Sequence, residues 1–366
     1  MDAPDGAARR RPIRRTAVLV AALLAGSAAL AACGSSGDSS DQVGVSLILK
    51  TLSNPYFVSM EKDAQQEAAK DNVHLTVAAG QSDGDTQAQI KAIDNAISRG
   101  DKGILITSNG NAINAELQKA RSAGLYIIAL DTPPIPASVA DITYATDNEA
   151  AGKLIGQYAA GKLNGAKAVI AMLDLYNNQV ASVDINRDHG FLEGMGIAPG
   201  STSQNGQEAK SGHYTGGKGG DYTIACHQPT QGAIPGGKTA MENCLSANSD
   251  VNVVYTINEP SADGALQAVQ AAGKTNVLVV TIDGSCQYIN GQVKSGTIAA
   301  DAVQYPGKMA SVGVQTIASV AKGGAKPTLP AGQDYINTGT ALTTANPVDG
   351  VTSQPPAQAA TACWGS

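Results

Sequence analysis

Val43-Gly44-Val45-Ser46-Leu47-Ile48-Leu49 is a nearly unbroken apolar run of strand length, and the polar turn Lys50-Thr51-Leu52-Ser53-Asn54-Pro55 and the aromatic pair Tyr56-Phe57 follow it directly. A run without alternation reads as a strand buried on both faces, as in parallel sheets. Asn54-Pro55 reads as a helix N-cap with proline in the first turn. Phe57, Met60, Ala64 and Ala68 then recur at helical spacing. The same unit repeats downstream. Strands are predicted over 74–78, 103–107 and 125–130, and helices over 85–99 and 112–123, with Ile90, Ile93 and Ile97 on one face. A second series follows, with helices over 148–163, 237–247 and 261–272 and another opening at Asp188. Its strands are 166–173, 223–227, 251–256 and 277–282. Two successive βα arrays predict two α/β lobes, each with a parallel sheet covered on both faces. The Gly- and Ser-rich stretch 200–220 is predicted to be an exposed loop, and the Pro- and Thr-rich tail after Gly324 shows little helical pattern.

Working outward toward the start, Arg9, Arg10, Arg11, Arg14 and Arg15 precede an apolar run over 17–32 and then Cys33. Positive region, short apolar region and small residues are the order of a secretion signal. Gly26 and Ser27 interrupt the run, which is short for a membrane span of about 20 apolar residues. Leu30-Ala31-Ala32-Cys33 resembles the lipobox of bacterial lipoproteins, which implies lipidation at Cys33 after removal of residues 1–32. Residues 33–41 then form a lipid anchor and a Gly/Ser/Asp tether. The expected location is extracytoplasmic, on the outer face of the cell membrane.

The chain has 366 residues, 43% of them apolar, enough for more than one core. A net charge of −6 offers no basic face for nucleic acid. If Cys33 carries lipid, Cys226, Cys244, Cys286 and Cys363 remain, an even number in an oxidising compartment. Three connectivities are possible. Cys226–Cys244 is favoured by proximity in sequence, and Cys286–Cys363 would then staple the tail. His227 adjoins Cys226, but no Cys-x-x-Cys or His-x-x-x-His spacing occurs, so neither a metal nor a cofactor is expected.

Ligands of open parallel sheets bind beyond the carboxyl ends of the strands. Those ends carry Lys50 to Phe57, Ser108-Asn109, Asp131-Thr132, Asn258-Glu259 and Asp283-Gly284. Asn and Asp can fork across adjacent hydroxyls, and the apolar face of a sugar ring packs on aromatic faces. Tyr56 and Phe57 stand out because aromatics are 4% of the chain and Phe occurs twice. Each residue alone also has a local role to play. Asn54 and Asn258 suit N-caps, Asp131 and Asp283 suit turns, and Phe57 suits a core. The conjunction, strand after strand ending in a polar group, points to a polyol.

With these residues the chain resembles the sugar-binding proteins of ABC importers, the ribose- and fructose-binding group of the periplasmic binding proteins. The resemblance covers about 43–323. It is carried by Ser53-Asn54-Pro55-Tyr56-Phe57, Ile128-Ala129-Leu130-Asp131-Thr132, Ala145-Thr146-Asp147-Asn148, Tyr255-Thr256-Ile257-Asn258-Glu259-Pro260, Ile282-Asp283-Gly284 and Gln304-Tyr305-Pro306. It implies a type I fold, two Rossmann-like lobes joined by a three-segment hinge near Asp147, Gln304 and Gly332. The N-terminal lobe would comprise 42–147 with 305–332, and the C-terminal lobe 148–304 with 333–366. It also implies ligand roles. Asn54, Asn109 (or its neighbour Ser108) and Asp131 would bond hydroxyls from the first lobe, where Tyr56 and Phe57 would stack on the ring. Arg187, Asn258 and Asp283 would close from the second lobe, and Gln304 would reach the sugar from the hinge. Lys50 stands where some members carry a small polar residue, and it signals either an acidic sugar or a lysine solvated at the rim. Thr132 replaces an arginine of the ribose-type members, which argues against ribose. The phrase around Asn258 is most like the fructose branch, so a fructose-like monosaccharide leads.

The implied function is capture of the sugar by a monomer that delivers it to an ABC permease, with no chemistry done on it. A sensor signalling to a membrane kinase or chemoreceptor would use the same site. A glycosidase could be imagined from Asp131 and Asp283. Their neighbours are amides and arginine, however, and no nucleophile elbow, P-loop or metal-ligand spacing occurs. A repressor of the same fold is excluded by the leader and by the lack of a DNA-binding helix-turn-helix before Val43.

Overall fold

The computed structural model describes residues 42–365; the leader, Cys33 and the tether lie outside the described residues. The first lobe opens β1 (Val43–Thr51), α1 (Pro55–Lys70), β2 (Val73–Gly80), α2 (Thr86–Arg99), β3 (Gly103–Ile106), α3 (Asn114–Ser122), β4 (Tyr126–Leu130), β5 (Ile142–Ala145). All its strand pairs are parallel, in the order β2-β1-β3-β4-β5. β1 is buried almost throughout because both faces are covered. Leu47 and Leu49 face Met60 of α1, while Ile48 faces Ile93 of α2 and Leu117 of α3.

After β5 the chain crosses into a second sheet. There it forms α4 (Asn148–Leu163), β6 (Ala168–Asp174), α5 (Ser182–Met195), β7 (Ser211–Tyr214), β8 (Gly220–Pro229), α6 (Ile234–Ala247) and β9 (Val253–Thr256). It continues through α7 (Glu259–Ala271), β10 (Leu278–Asp283), α8 (Cys286–Tyr288) and β11 (Ala300–Val303). It then returns to the first lobe, where α9 (Pro306–Ala321) packs Met309, Val314 and Ile317 into the same core as α1, and β12 (Ile336–Asn337) pairs with β5. A last crossing leads to β13 (Ala341–Thr343), antiparallel to β11, and to α10 (Pro356–Ala359). The second sheet has the order β7-β8-β6-β9-β10-β11-β13. Its strands again bury both faces, Met172 and Tyr255 toward α4 and α5, Leu173 and Val254 toward α6 and α7.

Three positions differ from the sequence reading. Ile336 and Asn337 pair with Tyr144 and Ala145, so the third crossing lies between Asn337 and Ala341, past Gly332. A two-residue strand is too short to show a period. The 200–220 stretch contains β7, paired antiparallel with β8 at the sheet edge, and buries Tyr214 and Glu208. Finally, α5 starts at Ser182, six residues before the expected opening at Asp188, which brings Arg187 inside the helix.

The α4–α5 contact is closer than side chains normally permit. A Cβ on Gly152 or Gly156 would meet the backbone of Arg187 or Phe191, and one on Gly190 or Gly194 would meet that of Glu149 or Lys153. Four glycines therefore set the depth at which α5 sits against α4, and with it the position of Arg187.

Candidate functional site

The strand-end polar residues first do local work. The side chains of Asn54, Asp85, Asp147 and Asn258 accept hydrogen bonds from backbone N–H groups in the first turns of α1, α2, α4 and α7. Capping satisfies otherwise orphaned donors, so these residue types recur where strand passes to helix. A subset then converges between the lobes on a narrow cavity of about 20 Å3. Lys50, Asn54, Tyr56, Phe57, Asp83 and Asp131 line it from the first lobe. Leu175, Val183, Arg187, Ile257, Asn258 and Asp283 line it from the second, and Gln304 lines it at the second crossing. That is far below the roughly 300–1,000 Å3 of ligand pockets, so a molecule of sugar size enters only with the lobes further apart.

The charged groups are joined across the gap. The Arg187 guanidinium lies 3.7 Å from Asp131 Oδ1 on one lobe and 3.7 Å from Asp283 Oδ1 on the other. It is aimed by donating from Nε to Asn148 Oδ1 at 2.8 Å and from Nη1 to Ile257 O at 2.9 Å. Tyr56 donates to Asp131 Oδ1 at 3.1 Å or to Gln304 Oε1 at 3.2 Å, and Gln304 Nε2 donates to Asp283 Oδ1 at 2.7 Å. Asp131 has φ +65° and Asp283 φ +148°, backbone conformations that turn each carboxylate off its strand end. Burial pushes the Asp283 carboxyl up to about 7, against the pull of Arg187. Burial likewise raises Asp83 to about 6, with Lys50 opposing the shift. Burial and the charges of Asp131 and Asp283 raise the Tyr56 phenol, which keeps it a donor.

Lys50 is 2% exposed and lines the cavity, so it is not a lysine solvated at the rim. Asn109 is not among the lining residues. Its Oδ1 accepts from Gly84 N at 3.1 Å and Tyr176 Oη at 3.4 Å, so it spans the lobes beside the cavity. Ser108 is turned back on Gly110, and Thr132 donates to Asp131 Oδ2 at 2.8 Å rather than facing the cavity. These residues follow strands, as a ligand residue should, but side-chain rotamers send them elsewhere.

Sequence reasoning missed three contributors. Asp83 sits in the turn after β2, where the strand-end rule applies equally; the polar composition of Ser82-Asp83-Gly84-Asp85 hid it as an ordinary turn. Asn148 shows only as a helix start, and its role as the anchor of Arg187 depends on α5. Trp364, in the tail, packs edge-on against Tyr56 at 5.4 Å and donates from Nε1 to Asp283 O at 2.9 Å, touching both lobes behind the cavity. The tail is held there by the Cys286–Cys363 pair, with Cα atoms 4.9 Å apart, and by Cys286 N donating to Trp364 O at 2.8 Å. Cys226 and Cys244 form the other pair at bonding separation, with Cα atoms 5.6 Å apart. Among the described residues no helix is long and apolar enough to cross a membrane.

Two α/β lobes with three crossings and a polar cavity between them define a solute-binding architecture, and the comparisons identify which. The periplasmic binding protein domain family matches residues 45–326. The ribose import binding protein of Escherichia coli K12 is 30% identical over 280 residues, covering 76% of this chain and 85% of that one. The D-allose-binding periplasmic protein of the same organism is 28% identical over 283 residues, covering 76% and 84%. Among solved structures, an ABC transporter solute-binding protein from Actinobacillus succinogenes with bound D-allose superposes with a TM-score of 0.67 at 23% identity, covering 83% of this chain and 98% of that one. The chain belongs to the periplasmic binding protein family, among the sugar-binding proteins of ABC importers. It is therefore a transport-type binding protein and not an enzyme, and Asp131 and Asp283 are not a glycosidase pair.

Proposed function

We propose that this protein captures a neutral monosaccharide between its lobes and presents it to an ABC permease. The observation that carries the reading is the Asp131–Arg187–Asp283 bridge, in which one buried cation ties a carboxylate of each lobe at the cavity. Hydroxyls inserted between these groups gain acceptors and donors from both lobes only when the lobes are closed, which is the differential contact that drives hinge closure. Tyr56 and Phe57, ring centroids 5.3 Å apart and nearly perpendicular, offer apolar surface to a ring face. Lys50 and Asp83 add opposite charges at the same wall, so the cavity suits a neutral polyol better than an acidic sugar. Fructose, ribose and allose are the first sugars to test, the last two because they are the cargoes named for relatives.

The same reading includes a lipid anchor at Cys33, disulfides at the two cysteine pairs, a monomeric body and lobes exchanging at 146–147, 304–305 and 338–340. A thermal-shift panel of monosaccharides and polyols on the protein from Gly34 onward tests the function, since a ligand bound only by the folded state must raise the melting temperature. One sugar giving a large shift, abolished in Asp131→Ala and Asp283→Ala while both variants stay folded, supports it. Retained sugar affinity in both variants overturns the site assignment.

A further inference from the structure

On the second lobe, β6, α5 and β8 bring Asp174, Asp188 and His227 together, with Glu208 behind the histidine. One ligating atom from each of the first three lies within 4.8 Å of the others. His227 Nδ1 is 2.7 Å from Asp174 Oδ2 and 3.9 Å from Asp188 Oδ2, and its Nε2 is 3.0 Å from Glu208 Oε1. Asp188 is 0% exposed, and neither of its oxygens accepts a hydrogen bond. Asp174 Oδ1 and Glu208 Oε2 are also buried without a donor. Burying carboxyl oxygens without a hydrogen-bond donor is costly, and native interiors rarely do it. The other charged neighbours are His189, whose Nε2 is 4.0 Å from Asp188 Oδ1, Lys210, 3.0 Å from Glu208, and Asp184 on α5. A cavity of about 480 Å3, which Asp174 and His227 line together with Gln204 and Asn205, gives access from one side.

We propose that Asp174, Asp188 and His227 Nδ1 form a binding site for one divalent cation of the zinc class. One imidazole with carboxylate oxygens suits zinc and its neighbours, whereas calcium takes six to eight oxygens and magnesium keeps most of its water. Three protein ligands leave a fourth position toward the cavity. Glu208 completes the arrangement as the outer carboxylate: by accepting from Nε2–H it fixes the tautomer that leaves Nδ1 to coordinate. Asp188 directly follows Arg187 on α5, so the cation would brace the helix that carries the arginine of the interlobe bridge.

The test is calorimetric titration of the chelator-stripped protein with zinc chloride alone, with calcium and magnesium chloride in parallel. The expected result is one zinc per chain with a Kd below about 10 μM. Asp188→Asn and His227→Gln should weaken binding more than about 30-fold, and Glu208→Gln, which keeps all three ligands, by about 10- to 100-fold. His213→Gln, at an exposed histidine that pairs with Asp221 and stacks on Tyr214 away from the cluster, should bind as the parent does. Should the ligand variants fail to fold by circular dichroism, the Glu208→Gln and parent titrations decide. No saturable zinc binding below about 1 mM in the parent overturns the site, as does unchanged affinity in Glu208→Gln or loss in His213→Gln. Tighter binding of calcium or magnesium than zinc overturns the zinc-class assignment.

Discussion

Asp131→Asn isolates the charge of the first lobe from its geometry. Asp131 occupies a left-handed backbone position at φ +65°, where Asn is among the few tolerated residues, so the turn should survive. The Asn Oδ1 can still accept from Tyr56, and Thr132 can rotate its hydroxyl to accept from the new amide. Two things are lost: the negative charge 3.7 Å from Arg187 and one of the two acceptor oxygens available to sugar hydroxyls. Arg187 keeps Asp283 at 3.7 Å, Asn148 and Ile257, so it is not left unpaired. A hydrogen bond to a charged group is worth about 1.5–3 kcal/mol, and each 1.4 kcal/mol is tenfold in Kd. The sugar affinity should therefore fall about 10- to 150-fold. Trp364, the single tryptophan, touches both lobes behind the cavity, so its emission supplies the titration signal. A Kd within about threefold of the parent, with the parent binding the same sugar, would refute the claim that this carboxylate holds the ligand.

Three further outcomes are expected. Gly156→Ala should destabilise the protein by about 1–3 kcal/mol in urea unfolding, because the added methyl meets the Phe191 backbone across the α4–α5 contact; an unchanged midpoint would mean that the helices separate freely. Trp364→Phe keeps an aromatic against Tyr56 but removes one of the two donors to the Asp283 carbonyl, which keeps Gln304 N at 3.0 Å, and should cost about 0.5–1.5 kcal/mol by the same measurement. Asp83 holds its proton up to about pH 6 when folded and releases it near 3.8 when unfolded. The folded state then binds more protons in that window, so stability is highest below the lower value and falls as pH rises toward the upper one, by about 3 kcal/mol at most. Unfolding curves collected from pH 4 to 7 should show a flatter profile for Asp83→Asn than for the parent, and parallel profiles would contradict the burial argument.

Much of this architecture was legible without coordinates. Apolar runs such as Val45 to Leu49 and Val277 to Ile282 announce strands buried on both faces, and the Asp and Asn residues at their ends announce the caps and part of the cavity lining. The same local reading could not show that Asn109 meets Gly84 and Tyr176, Ser108 Gly110 and Thr132 Asp131, because a strand end sets where a side chain starts and not which neighbour it turns to. It treated Lys50 as an ambiguous rim residue because burial of a lysine is decided by what closes over it. His227 stood out in sequence only beside Cys226, since its partners Asp174, Asp188 and Glu208 come from other elements.

By itself the sequence determined the class of fold, the two-lobe repeat and the candidates Asn54, Tyr56, Asp131, Asn258, Asp283 and Gln304, because hydrophobic period and capping chemistry act over a few residues. Only the tertiary structure decided that Arg187 bridges Asp131 and Asp283, that Asp83 joins the cavity, that Trp364 braces it from the tail, and that the last crossing lies beyond Asn337. Those relations join groups tens to hundreds of residues apart. They arise from the depth of the α4–α5 contact and the closure of two lobes, neither of which any local pattern encodes.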